Sequence, residues 1–249
     1  MSTSTLLITG ASSDLAAALL RRLSEEQSVS RVIAHFHQSR NRVEALRAVF
    51  PGEIFLAQAD LSLPQDVDGF IEQIRSQPAV PDKIVHFAGL NLRLERFSQA
   101  DLTRFQQDLA VQVTAIARVL REFLPAMARL ETRSRIVFVL SSVTLGTPPK
   151  FMPLYTVVKY AQLGLMRALA AEFAGTRISI NAVSPSMVET RFLSEIPAKA
   201  IELTAAQSPQ HRNVTTDEVA AAIQFLLSSR SDDMQGVNLP VTAGAEYPA

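Results

Sequence analysis

The sequence contains no cysteine and no tryptophan among its 249 residues. The lack of cysteine excludes disulfide bonds, thiol catalysis and cysteine-ligated zinc. No apolar run reaches the ~20 residues that a membrane span requires, and the first residues show no signal-peptide pattern. We therefore expect a cytoplasmic protein that folds without a covalent cross-link.

An excess of charge of either sign is also absent, because 24 basic side chains balance 24 acidic ones. Without a basic field, neither nucleic acid nor an anionic membrane surface is an expected partner. Apolar residues form 47% of the chain and charged residues 19%, which is typical of a globular domain. We predict a single domain over residues 1–249.

Short apolar runs alternate with helical patterns along the chain. The runs are rich in Ile and Val with little polar alternation, which is typical of parallel strands covered on both faces. The predicted strands are 5–9, 31–36, 54–57, 83–87, 135–140, 177–183 and 236–241. The predicted helices are 15–23, 41–49, 66–75, 98–130 and 153–173, and a capping box of Thr215 and Glu218 begins the last one.

This alternation predicts an α/β fold of the Rossmann type. We expect a doubly wound, seven-stranded parallel sheet with helices on both faces. In such a sheet, ligands bind beyond the carboxyl ends of the strands, where the strand order reverses.

A turn of small residues joins the first predicted strand to the first helix. Its sequence is Thr9-Gly10-Ala11-Ser12-Ser13-Asp14-Leu15-Ala16. Such a turn lets a phosphate approach the main chain, where free N–H groups at the helix start can bind it. A tight turn that binds nothing has the same composition, so both interpretations stay open for the turn alone.

A second group of residues carries a pattern for acid–base chemistry. Tyr155 and Lys159 lie four residues apart on one face of a predicted helix, and Ser142 follows the strand at 135–140. A cation one turn away favours the phenolate form, and a serine hydroxyl can orient a carbonyl oxygen for proton transfer. An ordinary exposed i,i+4 pair would look the same in sequence.

Six segments in order along the chain resemble motifs of the short-chain dehydrogenase/reductase family. The resemblance covers essentially the whole chain and is closest to short, single-domain members of the 3-oxoacyl-carrier-protein reductase type. The segments are the turn at 9–16 (TGxxxGxG in the family), Asp60-Leu61, His86-Phe87-Ala88-Gly89 (NNAG), Ser142, Tyr155-x-x-x-Lys159 (YxxxK) and residues 181–190 (N-x-V-x-P-G-x-x-x-T).

The resemblance implies hydride transfer between a nicotinamide cofactor and a carbonyl or alcohol. It implies that Tyr155 exchanges the proton on the substrate oxygen, that Lys159 lowers the pKa of the tyrosine and holds the nicotinamide ribose, and that Ser142 positions the substrate. No metal ion is expected. The implied cofactor contacts are Gly10, Ser12, Ser13, Asp14, Leu15, Asp60, Leu61, Ala88, Gly89, Tyr155, Lys159, Pro185, Val188 and Thr190.

Three of the residues that depart from the family pattern bear on the chemistry of the site. Asp14 replaces a turn glycine, and we interpret it as an N-cap that points away from the phosphate, although its carboxylate could repel a pyrophosphate. Gln112 replaces the catalytic asparagine, whose main-chain carbonyl holds a water linked to the lysine. That main-chain role can survive, while the local helix distortion is the part at risk. His86 replaces an asparagine, and we favour a hydrogen-bonded histidine at a strand end over a cofactor contact.

The end of the second strand bears on the choice of cofactor. An acidic side chain there hydrogen-bonds the ribose 2′-hydroxyl of NAD, whereas its absence and a nearby arginine accommodate a 2′-phosphate. Phe36 stands where the carboxylate would be, and His37, Ser39 and Arg40 offer donors. We predict NADP(H) over NAD(H), with a merely solvated Arg40 as the alternative.

The substrate and the assembly are inferred from the resemblance. It implies a mobile lid at about residues 190–212 and a homodimer or homotetramer that pairs the helices at 98–130 and 153–173. The favoured function is reduction of a small carbonyl compound, with a carrier-bound 3-oxoacyl thioester as one candidate. An NAD(P)-dependent secondary-alcohol dehydrogenase and a non-catalytic dinucleotide sensor or scaffold remain alternatives.

Overall fold

A parallel sheet lies at the centre of the structure, a computed structural model that describes residues 4–246. Its strands are β1 Thr5–Thr9, β2 Arg31–Phe36, β3 Glu53–Gln58, β4 Lys83–His86, β5 Ser134–Val139, β6 Ile178–Pro185 and β7 Asn238–Val241. The order across the sheet is β3-β2-β1-β4-β5-β6-β7, and every neighbouring pair is parallel. The predicted seven-stranded Rossmann-type sheet is therefore confirmed.

Helices cover both faces of the sheet. They are α1 Asp14–Glu26, α2 Arg40–Glu44, α3 Pro64–Arg75, α4 Leu102–Leu109, α5 Ala115–Met127, α6 Pro153–Glu172, α7 Ala198–Gln207 and α8 Thr216–Leu226. The buried side chains form one apolar cluster between the sheet and α1 and α8, and a second between the sheet and α3, α5 and α6. None of the helices in residues 4–246 has the length and apolar character needed to cross a membrane.

The helix predicted at 98–130 is wrong as one continuous element. Asp101 caps α4 by accepting a hydrogen bond from the main-chain N–H of Arg104 at 3.0 Å, so the helix begins at Leu102. A π-helix over Ala110–Thr114 then separates α4 from α5. The helix predicted at 41–49 is also shorter, because α2 passes into a 3-10 helix over Ala45–Ala48.

The capping box at the start of α8 is present as predicted. The Thr215 hydroxyl accepts from the main-chain N–H of Glu218 at 3.2 Å, and the Glu218 carboxylate accepts from the main-chain N–H of Thr215 at 2.8 Å. The Arg212 guanidinium and these Thr215 donors lower the pKa of Glu218 to about 2. The charged carboxylate therefore fixes the helix start through the neutral pH range.

Candidate active site

The carboxyl ends of β1 and β4 lie side by side at the point where the strand order reverses. Gly10 follows β1 with a φ of +71°, a conformation that L side chains rarely adopt. A Cβ on Gly10 would lie 2.7 Å from the main-chain nitrogen of Ala88, so only glycine fits between the turn and the end of β4. This close contact places the turn directly over the sheet edge.

A buried histidine supports the turn from β2. His35 Nδ1 accepts from the Gly10 N–H at 3.1 Å, so its Nε2–H donates to the Ala59 carbonyl, also at 3.1 Å. Burial lowers the pKa of His35 to about 4, with the Ala59 carbonyl acting in the opposite direction. His35 is therefore a neutral structural group under the turn that follows β1.

The interpretation of Asp14 as an N-cap is wrong. Ser13 caps α1 by accepting from the main-chain N–H of Ala16 at 3.1 Å, and Asp14 is the first helical residue. The Asp14 carboxylate accepts from Arg42 Nη2 at 2.5 Å and from the main-chain N–H of Arg191 at 3.0 Å. Partial burial raises the pKa of Asp14, but these two partners hold it below its usual range.

Both arginines also bind the turn itself. Arg42 Nε donates to the Ser12 carbonyl at 3.1 Å, and Arg191 Nη2 donates to the same oxygen at 2.6 Å. One carboxylate therefore faces two guanidinium groups, which leaves an excess of one positive charge beside the turn. This excess opposes the repulsion between Asp14 and a phosphate that the sequence raised as a concern.

The predicted adenine-side residues have different surroundings. The Phe36 side chain is 1% exposed and packs in the core, so its ring is not available to a ligand. Arg40 Nε binds Glu44 at 2.8 Å on the surface, and His37 Nε2 lies 3.6 Å from a carboxylate oxygen of Asp60. Phe36 itself thus occupies the position at the end of β2 where a carboxylate would hydrogen-bond the ribose of NAD.

Asp60 follows β3 and organises the next turn. Its Oδ1 accepts from the Ser62 hydroxyl at 2.7 Å and from the Ser62 N–H at 2.9 Å, while Leu61 beside it is buried. Burial raises the pKa of Asp60, but the Ser62 donors and His37 hold it below its usual range.

The remaining predicted cofactor residues follow β4 and β6. Ala88 contacts Gly10, and a Cβ on Gly89 would lie 3.0 Å from the side chain of Gln112. Pro185 ends β6, Val188 forms a parallel bridge with Val214, and the Thr190 hydroxyl donates to the Val188 carbonyl at 3.4 Å. Together with the turn, these residues line the same edge of the sheet.

Tyr155 lies in the first turns of α6, beside a cavity also lined by Asp108, Arg104 and Met152. Burial raises the pKa of Tyr155 to about 12, the Ser141 hydroxyl acts to lower it by hydrogen bonding, and Asp108 raises it. The phenol therefore keeps its proton at neutral pH in the free protein. This direction is opposite to the lowering that the sequence predicted.

Two neighbouring serines, Ser141 and Ser142, follow β5 and have different surroundings. The Ser141 hydroxyl acts to lower the pKa of Tyr155 and accepts from the Val143 N–H at 3.4 Å. The hydroxyl of Ser142 makes no hydrogen bond to another group within residues 4–246 and is partly exposed. The role of Ser142 as the residue that positions the substrate stays a prediction.

Lys159 is buried one turn after Tyr155. Its Nζ donates to the Val139 carbonyl and to Gln162 Oε1, both at 3.0 Å, and lies 5.7 Å from the centre of the Tyr155 ring. Burial lowers the pKa of Lys159 to about 8, while Asp108 acts to raise it. The ammonium is held beside the tyrosine by fixed acceptors.

The helix distortion at Gln112 is retained despite the change from asparagine. Gln112 lies inside the π-helix, and its carbonyl accepts from Gln162 Nε2 at 2.8 Å and from His86 Nε2 at 3.2 Å. Its side chain instead donates to Asp108 Oδ1 at 2.6 Å. π-Helices frequently occur at functional sites because they remove carbonyls from the regular ladder.

His86 is a hydrogen-bonded histidine at the end of β4, as the sequence favoured. Its Nε2–H faces the Gln112 carbonyl, so Nδ1 accepts from the Thr9 hydroxyl at 2.6 Å. Burial and the positive charge of Lys159 lower the pKa of His86 to about 3. Both ring nitrogens are thus used within the protein.

The chain after Thr190 packs against residues in the wall of the cavity. The Leu92 N–H donates to the Phe192 carbonyl at 3.0 Å, and Arg104 Nη2 lies 3.5 Å from Glu195. The Phe192 ring lies 6.1 Å from the Tyr155 ring, centre to centre. Arg191, at the start of this segment, binds the Ser12 carbonyl of the turn, and Phe192 packs beside Tyr155.

Comparison with known proteins agrees with this arrangement. The sequence profile of the family described as Enoyl-(Acyl carrier protein) reductase matches residues 10–246. The chain belongs to the short-chain dehydrogenase/reductase family. It is 28% identical over 243 residues to the acetoacetyl-CoA reductase of Allochromatium vinosum, covering 96% of each chain.

Solved structures show the same fold. The 3-ketoacyl-(acyl-carrier-protein) reductase of Brucella melitensis complexed with NADH superposes with a TM-score of 0.85 at 23% identity, covering 97% of this chain and 98% of that one. The angucycline C-6 ketoreductase LanV with bound NADP gives a TM-score of 0.86 at 20% identity, covering 97% and 95%. The protein is thus an oxidoreductase of the short-chain dehydrogenase/reductase family, whose members bind a nicotinamide dinucleotide.

Several residues of the site escaped the sequence analysis. Asp108 acts on the pKa of Tyr155, and Arg191 binds the turn, only because separate elements meet at the sheet edge. Gln162 binds Lys159 from the same helix, α6. Gln162 carried a readable signal, since it lies three residues after Lys159 on an otherwise apolar helix face. Arg42 was visible only as one of several arginines on early helices.

Proposed function

We propose that this short-chain dehydrogenase/reductase uses NADP(H) to reduce a carbonyl to a hydroxyl, with Tyr155 as the proton donor. The observation that carries the proposal is the position of Tyr155 in the wall of the cavity, with Lys159 Nζ 5.7 Å from the centre of its ring. Reduction of a carbonyl needs a proton donor at the developing alkoxide, whereas oxidation of an alcohol needs the phenolate. The raised pKa of Tyr155 therefore supports the reductive direction at neutral pH.

The residues at the sheet edge suit a nicotinamide dinucleotide, which supplies the hydride when it is bound. Gly10 permits the main chain to approach a pyrophosphate, and the start of α1 directs N–H groups toward it. Arg42 and Arg191 offset the charge of Asp14. The lack of a carboxylate at Phe36 favours NADP(H), while structural neighbours contain NADP or NADH.

Within this proposal, Ser142 positions the carbonyl oxygen, because its hydroxyl is free of protein partners in residues 4–246. A 3-oxoacyl thioester is the proposed substrate, since the acetoacetyl-CoA reductase relative matches along 96% of the chain. The segment at about 190–212 acts as the lid. Its contacts with Leu92 and Arg104 support this role.

A fluorescence titration with NADPH and, in parallel, NADH tests the cofactor. The chain has no tryptophan, so protein emission interferes little with the nucleotide signal. We expect tighter binding of NADPH. Equal or tighter binding of NADH would overturn the preference, and binding of neither would overturn the enzyme assignment.

The Tyr155→Phe variant tests the proton donor with acetoacetyl-CoA as substrate. The substitution removes only the hydroxyl, so we expect turnover to fall by about 10²–10⁴-fold with little change in NADPH affinity. Turnover that survives would show that another group supplies the proton.

We also propose a homodimer or homotetramer assembled through α4 and α6. Apolar side chains are exposed on both helices, namely Leu102 at 61%, Val157 at 50% and Tyr160 at 44%. Light scattering at micromolar concentration is expected to give a multiple of the 27.2 kDa chain. A monomer would remove the proposal.

A further inference from the structure

Gln162 is a polar residue on the buried face of α6, where its neighbours Val158, Leu163, Met166 and Ala170 are apolar. It is 0% exposed. A buried amide that lacks hydrogen-bond partners costs about 1–3 kcal/mol of stability, so its partners must account for its presence.

Both ends of the Gln162 amide are bound. Oε1 accepts from Lys159 Nζ at 3.0 Å, and Nε2 donates to the Gln112 carbonyl at 2.8 Å. Exchanging the two amide atoms would place an NH₂ group against the ammonium and one carbonyl against another. The contacts therefore fix the orientation of the amide.

The two groups that accept hydrogen bonds from Lys159 fix the direction of its ammonium group. An ammonium has three donors, and Val139 and Gln162 accept from two of them. The third N–H donor of the ammonium remains available on the side where Tyr155 lies. The ionisable groups facing the ammonium are Tyr155 from α6, Asp108 from α4 and His86 from β4.

We propose that Gln162 is a positioning residue, which joins the Lys159 ammonium to the Gln112 carbonyl and stabilises the charged form of the lysine. The inference rests on the proposed function only in taking Lys159 as the partner of Tyr155. The family resemblance implied a water between the lysine and the carbonyl of residue 112, and here the Gln162 amide bridges the same two groups. An amide, unlike a water molecule, does not readily pass a proton from one side to the other, so the bridge holds the ammonium without conducting protons.

Titration of the Lys159 side chain in the free, full-length protein tests this role. The chain has only four lysines, Lys83, Lys150, Lys159 and Lys199, so ¹⁵N-labelled lysine gives few signals to assign by NMR. Gln162→Met keeps the length of the side chain and removes both the amide oxygen and the amide NH₂ group. A hydrogen bond to a charged group is worth about 1.5–3 kcal/mol, so we expect the pKa of Lys159 to fall by about one to two pH units.

Gln162→Glu is expected to change the pKa of Lys159 in the opposite direction. It keeps an acceptor for Lys159 and adds a negative charge, so the pKa of Lys159 should rise above its wild-type value. A side chain that only fills space would not move the two titrations in opposite directions. If the methionine variant does not fold, an unchanged or lowered pKa in the glutamate variant is enough to overturn the proposal.

Gln224→Met is the matched control, because Gln224 is also a buried glutamine but binds Arg22 between α8 and α1. It should leave the titration of Lys159 unchanged. An unchanged titration in a folded Gln162→Met protein overturns the inference. The measurement needs neither cofactor nor substrate, so its result is distinct from a failure of the Tyr155→Phe test.

Discussion

The carboxylate of Asp108 acts on both ionisable groups of the site. It raises the pKa of Tyr155 and acts in the same direction on Lys159. Its Oδ1 also accepts from Gln112 Nε2 at 2.6 Å and from the Leu90 N–H at 3.2 Å. A single charge on α4 thus influences how strongly the phenol holds its proton.

The variant Asp108→Asn removes that charge and keeps an oxygen that can accept both hydrogen bonds. We expect the pKa of Tyr155 to fall by about one pH unit, because a like charge near the phenolate is lost. Tyrosinate absorbance as a function of pH measures it, with Tyr155→Phe as the reference and no tryptophan to obscure the signal. Glu95→Gln, in the wall of the same cavity, is the control and should not shift it. An unshifted titration in Asp108→Asn would contradict the assigned effect of Asp108.

At this scale, spacing alone predicted the pair of Tyr155 and Lys159, because a helix fixes the relation between residues four apart. Gln162 lies on the same helix, three residues after Lys159, and was missed although its position was readable. Asp108 was out of reach, because its influence depends on how α4 packs against α6. The direction of the Tyr155 pKa was misjudged for the same reason, since burial is a property of the folded chain.

Three elements meet at the turn that follows β1: the start of α1, the helix α2 and the segment that begins with Arg191. Arg42 and Arg191 bring positive charge to Asp14 and to the Ser12 carbonyl. The proposed dinucleotide would bring a pyrophosphate to this place. The balance between one carboxylate and two guanidinium groups should therefore influence its affinity.

Arg42→Gln tests that balance. It leaves Asp14 less well neutralised, so we expect NADPH affinity to fall by about three- to tenfold, the effect of about 1 kcal/mol at a solvent-exposed charge. Adding Asp14→Asn to the same protein should restore most of the affinity. The fluorescence titration, repeated at low and high salt, measures both, and the loss should shrink as salt screens the charges.

Arg22→Gln is the control for the turn, because Arg22 lies on α1 but pairs with Asp217 of α8. Its NADPH affinity should match the wild type. If Arg42→Gln also binds like the wild type, the charge of Asp14 has no bearing on the pyrophosphate site.

Elements with their own sequence signal were predicted well, and elements that depend on distant contacts were not. Each strand is a short apolar run, and the capping box at Thr215 marks its helix locally. The π-helix over Ala110–Thr114 has no such signal, because the groups that bind the Gln112 carbonyl, His86 and Gln162, lie far along the chain. The N-cap at Asp101 could be recognised in the sequence, but it lies inside the longer helical pattern predicted over 98–130.

Across the whole molecule, two neutral histidines are buried beneath the carboxyl ends of the strands. His35 and His86 are 3% and 2% exposed, and each bonds through both ring nitrogens. Burial lowers their pKa values from 6.5 to about 4 and about 3. His35 supports the turn after β1, and His86 supports the Gln112 carbonyl next to Lys159. Both supports depend on histidine rings that stay uncharged.

Stability should consequently fall as the pH falls below about 6.5. In that range the unfolded chain takes up protons on both histidines and the folded protein does not, so unfolding is favoured by at most about 2.7 kcal/mol per pH unit. The contribution is complete above pH 6.5 and is lost as the pH approaches about 4 and then about 3. The carboxylates with lowered pKa values, Asp14, Asp60 and Glu218, add to the loss only near and below their ordinary values of 3.8 to 4.5.

Urea unfolding at several pH values between 7 and 5 measures this slope separately from the carboxylates. His86→Asn should reduce it by about half, since one of the two protons is then no longer taken up. A free energy of unfolding that stays constant over this range would show that the histidines are protonated in the folded protein, which the hydrogen bonds of Nδ1 in His35 and His86 oppose.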